Sequence, residues 1–256
     1  MEKDFRASPV HLRPSANVAS PTAGTTRSIS IVIPVTASTW LVVPLYNEAK
    51  VVREVIQHAR TVFPNIVCVD DGSSDDSVAE ALAGGAIVVQ HPFNLGQGAA
   101  LRTGLDYALS DKSAKYFVTF DSDGQHRVED ALAMIDRLAT GTVDVVVGSR
   151  FLDQRTQPGA LKKLVLKTAV MFERLSTGVK LTDAHNGLRA FNRTAATKIR
   201  IDQNRMAHAS EIVAEIRRND LRYTEMPVHV VYTDYSKSKG QSIWNSVNII
   251  SDLYFK

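Results

Sequence analysis

The chain has 256 residues, enough for one large α/β domain or two small ones, and its formal net charge of +3 is too slight a surplus to mark a nucleic-acid binder. Its single cysteine, Cys68, excludes an internal disulfide and lies within the apolar run 66–69 as a buried small hydrophobe would, which suits a reducing compartment. No apolar run reaches the ~18–20 residues of a membrane span, and no basic-then-apolar leader opens the chain. A cytoplasmic protein, free or resting on a membrane surface, is therefore expected.

In chain order, residues 1–38 are rich in Pro, Ser, Thr and charge without a period, and read as a mobile tail. Within it 29–35 is apolar but interrupted by Pro34, which suits an edge segment. From Thr39 onward strand-like and helix-like stretches alternate. The strand-like ones are 40–43, 66–69, 86–90, 116–120 and 143–147, and the helix-like ones 48–62, 75–82, 98–109 and 128–139. Such alternation with short connections predicts a mostly parallel, Rossmann-like sheet flanked by helices, in which ligands sit beyond the carboxyl ends of the strands.

Each of those ends carries polar chemistry. Pro44 is expected to end the first strand, with Asn47 capping the next helix. After the second strand, Asp70 and Asp71 point to opposite sides, so at most one faces the crevice, and Gly72 allows a tight turn. The run from His91 to Ala100, with Gly96 and Gly98, is either a loop for close approach of phosphate or only a tight strand-to-helix turn. The run Tyr116–Phe120 stops at Asp121-Ser122-Asp123-Gly124-Gln125-His126. In extended backbone the two carboxylates would share one side, and two hard oxygen ligands suit Mg2+ or Mn2+, with water and substrate phosphate completing the shell.

Taken together, Pro44-x-Tyr46-Asn47-Glu48, Val69-Asp70-Asp71-Gly72-Ser73-Ser74-Asp75, Asn94-x-Gly96-x-Gly98-Ala99 and Asp121-x-Asp123-x-Gln125-His126 stand in the order and spacing of family 2 glycosyltransferases. Gly148-Ser149-Arg150 and Asp183-Ala184-His185-Asn186-Gly187-Leu188-Arg189 extend the resemblance to the polyprenyl-phosphate branch, typified by dolichol-phosphate mannose synthase. The resemblance implies a single GT-A domain over 39–241 and a nucleotide-diphosphate sugar donor. It places Pro44, Tyr46 and Glu48 around the nucleoside, Asp71 on the base, Gly98 in the Gly-containing loop near the phosphates, and Asp121, Asp123 and Gln125 on the divalent cation. Arg150 would help hold an acceptor phosphate. Asp183 would face the acceptor, as general base toward a hydroxyl or as an orienting group toward a phosphate. The chain departs from the branch at Asn186 and Leu188, where Ser or Cys and an aromatic are commoner, and at Gln97, where a Lys is common.

The basic stretch with Arg155, Lys162, Lys163 and Lys167 is either a solvated helix face or a border to the acceptor. Residues 210–218 read as a helix, in which Glu211 either serves the active site or pairs with a neighbouring Arg, and 222–231 suggest a closing strand. Lys237 and Lys239 lie in a loop-like segment that closes over the ligands in similar enzymes. Residues 242–256 place Trp244, Val247, Ile250 and Tyr254 at helical spacing, as a helix packed on the core or lying in a membrane interface. The expected activity is metal-dependent, inverting transfer of a hexose from a UDP- or GDP-linked donor to a polyprenyl phosphate. The alternatives are transfer to a hydroxyl of a growing glycan, a sugar nucleotidyltransferase, or a non-catalytic sugar-nucleotide binding module.

Overall fold

The computed structural model describes residues 34–153 and 178–231. Most of the expected N-terminal tail, the basic stretch with Arg155, Lys162, Lys163 and Lys167, and the segments carrying Lys237, Lys239, Trp244 and Tyr254 lie outside the described residues.

Strands β1 (Thr39–Leu45), β2 (Asn65–Asp70), β3 (Ile87–Gln90), β4 (Tyr116–Thr119), β5 (Val145–Ser149), β6 (Arg189–Asn192) and β7 (Tyr223–Pro227) form one sheet in the order β3-β2-β1-β4-β6-β5-β7. Neighbours run parallel except at β6, which is antiparallel to both β4 and β5. Helices α1 (Val52–Arg60), α2 (Ser77–Gly84), α3 (Gln97–Ser110), α4 (Val128–Ala139), α5 (Arg193–Lys198) and α6 (His208–Arg218) cover both faces.

The strands read as nearly continuous apolar runs because both faces are covered, and their period of two divides the side chains between two cores. Val42, Val67, Val69, Phe117 and Phe191 pack on one face with Leu101 and Leu105 of α3 and Ile212 and Ile216 of α6. Leu41, Val43, Cys68, Val118 and Phe120 pack on the other with Ile56 of α1 and Met134 and Ile135 of α4. Each fully buried side chain of this size stabilises the fold by about 1.5–3 kcal/mol before entropy is counted. Burial pushes the Cys68 thiol up to about 12, so it behaves as the inert hydrophobe expected.

The strand order reverses between β1 and β4, and there the register opens the sheet. Pairing of β1 with β4 stops at Val42 opposite Thr119, whereas pairing with β2 runs on to Leu45 opposite Asp70. Pro44 does not end β1 as expected. It is tolerated inside the strand because β4 has stopped pairing before its level, and its carbonyl accepts from Ser122 Oγ at 2.9 Å. Asn47 does not cap α1 either, since the helix begins only at Val52. With φ at +53° it turns the chain, while its Oδ1 accepts from Ser74 N (2.8 Å) and its N–H donates to Ser73 Oγ (2.9 Å), lacing the loop after β1 to the loop after β2. Among the described residues no helix is long and apolar enough to cross a membrane.

Candidate active site

The reversal point holds a cleft of about 430 Å3 at the carboxyl ends of β1, β2 and β4. Of the residues predicted from sequence, Pro44, Tyr46, Glu48, Asp71, Asp121 and Asp123 line it together. Tyr46 stands at 47% exposure, an aromatic surface open to a ligand, whereas Glu48 is only 8% exposed.

Asp71 is enclosed by the chain itself. Its Oδ1 accepts from Leu95 N (2.9 Å) and lies 2.8 Å from His91 Nδ1, and its Oδ2 accepts from Gly96 N (2.7 Å). This carboxylate therefore shapes the loop that follows β3, and any contact with a base would share oxygens already engaged. The N–H of Gly98 is engaged within the chain. Its N–H donates to Asn204 O at 2.8 Å, joined by Ala99 N at 3.3 Å, and a Cβ at Gly98 would overlap Gln203 O. The glycines at 96 and 98 let the segment 203–205 pack on the start of α3, and Gly96 adopts φ of +104°.

At the end of β4 the chain turns after Asp121 and does not run on extended as expected. Both carboxylates still reach the cleft. Asp121 Oδ2 lies 2.8 Å from His126 Nε2, and Oδ1 accepts from Gln97 Nε2 at 3.3 Å. Desolvation alone would raise the Asp121 carboxyl, but His126 outweighs it and holds the group below its ordinary value. Burial alone would lower His126, and the Asp121 carboxylate raises it. Asp123 is pushed up to about 6, first by burial and then by the charge of Asp121. The site thus presents two carboxylates in mutual repulsion, with imidazole on one of them.

Gln125 does not join them. Its side chain is not among those lining the cleft; its N–H donates to Asp123 Oδ1 (3.0 Å) and its carbonyl accepts from Val231 N (2.9 Å), so it shapes the turn through its backbone. Among the described residues no three His, Cys, Asp or Glu side chains are grouped to hold a metal ion. Two carboxylates with ligand oxygens and water completing the shell still fit Mg2+ or Mn2+.

Arg150 and Asp183 meet outside the cleft lining. Arg150 donates from Nε to Oδ2 and from Nη2 to Oδ1 of Asp183, both at 2.6 Å, and its backbone N–H adds a bond of 3.0 Å. The Asp183 side chain is 1% exposed and that of Arg150 11%. Burial tends to raise the Asp183 carboxyl, but the Arg150 guanidinium overrides it and holds the group below the usual carboxylate range. Glu225 of β7 supports the pair, since its Oε1 accepts from Thr182 N (2.7 Å) and Asp183 N (3.1 Å).

Three participants carry roles that the sequence motifs did not assign. His126 closes the Asp-x-Asp segment but holds Asp121 rather than a substrate. Gly187 presses its backbone against Asp121, and a Cβ there would overlap Asp121 Oδ2. Arg205, in a connection without a local pattern, lines the cleft. Glu211 resolves differently from both expectations: its Oε2 accepts from Asp202 N and Gln203 N, each at 2.9 Å, and so fixes the segment that carries Arg205.

Residues 40–200 match the sequence model of Glycosyl transferase family 2. An uncharacterized protein of Methanocaldococcus jannaschii is 34% identical over 223 residues, which cover 84% of this chain and 90% of that one. The UDP-N-acetylglucosamine–dolichyl-phosphate N-acetylglucosaminyltransferase of Methanococcus voltae is 30% identical over 226 residues, covering 80% and 90%. Among solved structures, glucosyl-3-phosphoglycerate synthase from Mycobacterium tuberculosis, in complex with Mn2+ and UDP-glucose, has a TM-score of 0.65 at 20% identity, covering 84% of this chain and 77% of that one. That likeness is one of fold, and it agrees with the GT-A architecture expected from the sequence.

Proposed function

The chain belongs to glycosyl transferase family 2, and from that premise we propose that it moves a hexose from a UDP- or GDP-linked donor to a polyprenyl phosphate at a membrane surface, inverting the anomeric carbon by direct displacement. The nucleoside would lie against Pro44, Tyr46 and Glu48, near Asp71. Asp121 and Asp123 would hold Mg2+ or Mn2+, and Asp123, raised first by burial and then by its neighbour, gains most from a cation beside it. When bound, the ion would neutralise charge growing on the departing nucleoside diphosphate.

The observation that carries the acceptor assignment is the Arg150–Asp183 pair. A hydroxyl acceptor must lose a proton as it attacks, and Asp183 would be the base to take it. A carboxylate held in a two-pronged bond to guanidinium and kept below its ordinary range is a poor proton acceptor near neutral pH. The oxygen of a phosphate monoester is anionic already and needs no base. Asp183 then acts by aiming Arg150 at the acceptor phosphate, a planar cation suited to that anion. The Methanococcus voltae relative, whose name specifies a dolichyl phosphate acceptor, supports this reading.

The test is release of nucleoside diphosphate from a panel of UDP- and GDP-sugars with Mn2+ or Mg2+, with and without a short-chain polyprenyl phosphate. Release requiring both the ion and the lipid phosphate is the expected outcome. Metal-dependent donor binding without stimulation by the lipid would move the acceptor to a hydroxyl of a glycan.

A further inference from the structure

The cleft has a charge problem that the assigned residues do not solve. Among the described residues lining it, Glu48, Asp71, Asp121 and Asp123 are acidic and Arg205 alone is basic. A multiply anionic diphosphate entering this space meets repulsion from these carboxylates. A dication on Asp121 and Asp123 relieves it at one point, and the rest of the diphosphate still needs donors. The usual source, the N-terminus of a helix, is closed here, because Gly98 N and Ala99 N at the start of α3 both donate to Asn204 O. The first residue of that helix, Gln97, is neutral, and its amide is turned to Asp121.

What closes the helix end also delivers a cation. The bonds to Asn204 O, the absent Cβ atoms at Gly96 and Gly98, and the two bonds from Asp202 N and Gln203 N to Glu211 hold the segment 202–205 on the cleft wall. His208 Nδ1 lies 2.7 Å from the Arg205 carbonyl and anchors its far side. The backbone of Arg205 is thus pinned from three directions. Its guanidinium makes no hydrogen bond or ion pair with a described residue.

We propose that Arg205 is the diphosphate-binding cation of the donor site, standing in for positive charge that Gln97 does not supply. The inference rests on the nucleotide-sugar reading and deepens it: the phosphates would be held between the metal-side carboxylates and a guanidinium brought from the α5–α6 connection. Arg205 would bind the phosphates and not the base, so its removal should weaken a nucleoside diphosphate and spare the nucleoside.

The experiment is calorimetric titration of the full chain with UDP and with GDP in the presence of Mn2+, alongside competition by uridine and guanosine. Wild type, Arg205→Gln and Arg205→Lys are compared, and thermal unfolding confirms that each is folded. The expected result is an affinity for the preferred nucleoside diphosphate lowered about tenfold or more in Arg205→Gln, as loss of a charge-assisted bond implies, and partly kept in Arg205→Lys. The matching nucleoside should compete equally in all three. Undiminished diphosphate binding by Arg205→Gln, or equal losses for diphosphate and nucleoside, would overturn the proposal. Failure of the wild type to bind either diphosphate would instead remove the nucleotide-sugar reading on which it stands.

Discussion

The two ends of this site, the one proposed to hold the donor and the one proposed to hold the acceptor, present opposite electrostatic problems. At the donor end Asp121 and Asp123 share a cleft in which one carboxyl is pushed up to about 6 by burial and by the other's charge. At the acceptor end Asp183 and Arg150 are a buried pair joined at two points. One end is left charged for something that must arrive, and the other is already neutralised within the chain. A site in tension gains from ligand binding, whereas a satisfied pair gains nothing unless it is used to orient, so the two ends should respond differently to the same kind of mutation.

The largest contrast is in stability. Asp183→Ala leaves the Arg150 guanidinium, 11% exposed, without its carboxylate and should cost about 3–5 kcal/mol of folding free energy, read from the urea midpoint. Replacing both, Asp183→Leu with Arg150→Met, should restore most of that stability while sugar transfer stays lost. A single mutant as stable as the wild type would show that the pair is not the satisfied element described here.

At the donor end the same truncation should act on turnover. Asp123→Ala removes the repulsion from Asp121 along with the acceptor of the Gln125 N–H, two effects that oppose each other, so its melting temperature should stay close to that of the wild type. Its kcat should fall about 10²–10³-fold, the usual effect of removing one stabiliser of transition-state charge. If Asp123→Ala kept full, metal-dependent transfer, the assignment of this carboxylate to the cation would be wrong. Gly187→Ala probes the same end more gently. The new methyl group overlaps Asp121 Oδ2, and a side-chain carboxylate can swing away where backbone could not. Stability should fall by only about 1 kcal/mol, while Mn2+ affinity, read by paramagnetic titration, drops several-fold.

The same contrast explains how far the sequence could be read. Apolar runs located β1, β2 and β4 because strands covered on both faces must be apolar throughout, and the carboxylates fell where those runs stop. β6 was not visible: Arg189-Ala190-Phe191-Asn192 has no strand period of its own, and it becomes a strand because β4 and β5 lie on either side to pair with it. Asp121 and Asp123 were legible as a local spacing. Their partners were not, since Gly187 and Arg205 approach from elements remote in sequence, as does Asn204, whose carbonyl accepts from Gly98 N. The turn at Gln125 was hidden for a related reason: spacing alone does not say that its backbone bonds Asp123 Oδ1 and Val231 N. Asp183 stood out in the sequence, but its two-pronged bond to Arg150, on which the proposed orienting role rests, joins residues 33 positions apart and no local spacing announces it.

Acid provides the smallest test, and here the two ends differ in sign. The folded Asp123 carboxyl, at about 6, holds its proton more tightly than an unfolded one near about 4, so in the metal-free protein its contribution favours the fold below about pH 4 and is lost as pH rises through 6. Asp183 is depressed, so its contribution is present above the unfolded value and is lost only as pH falls through its lowered folded value. Urea midpoints measured in EDTA from pH 4.5 to 7, values chosen on the order of these pKa values, should therefore decline for the wild type relative to Asp123→Asn, which cannot titrate there. Mn2+ added at neutral pH should reverse the decline, because the ion takes the place of the proton that relieved the pair. Its affinity should weaken by up to about tenfold for each unit below pH 6, where proton and metal compete for one carboxylate. Parallel midpoints for wild type and Asp123→Asn would mean that the donor carboxylates are not in tension, and the distinction between the two ends would then rest on Asp183 alone.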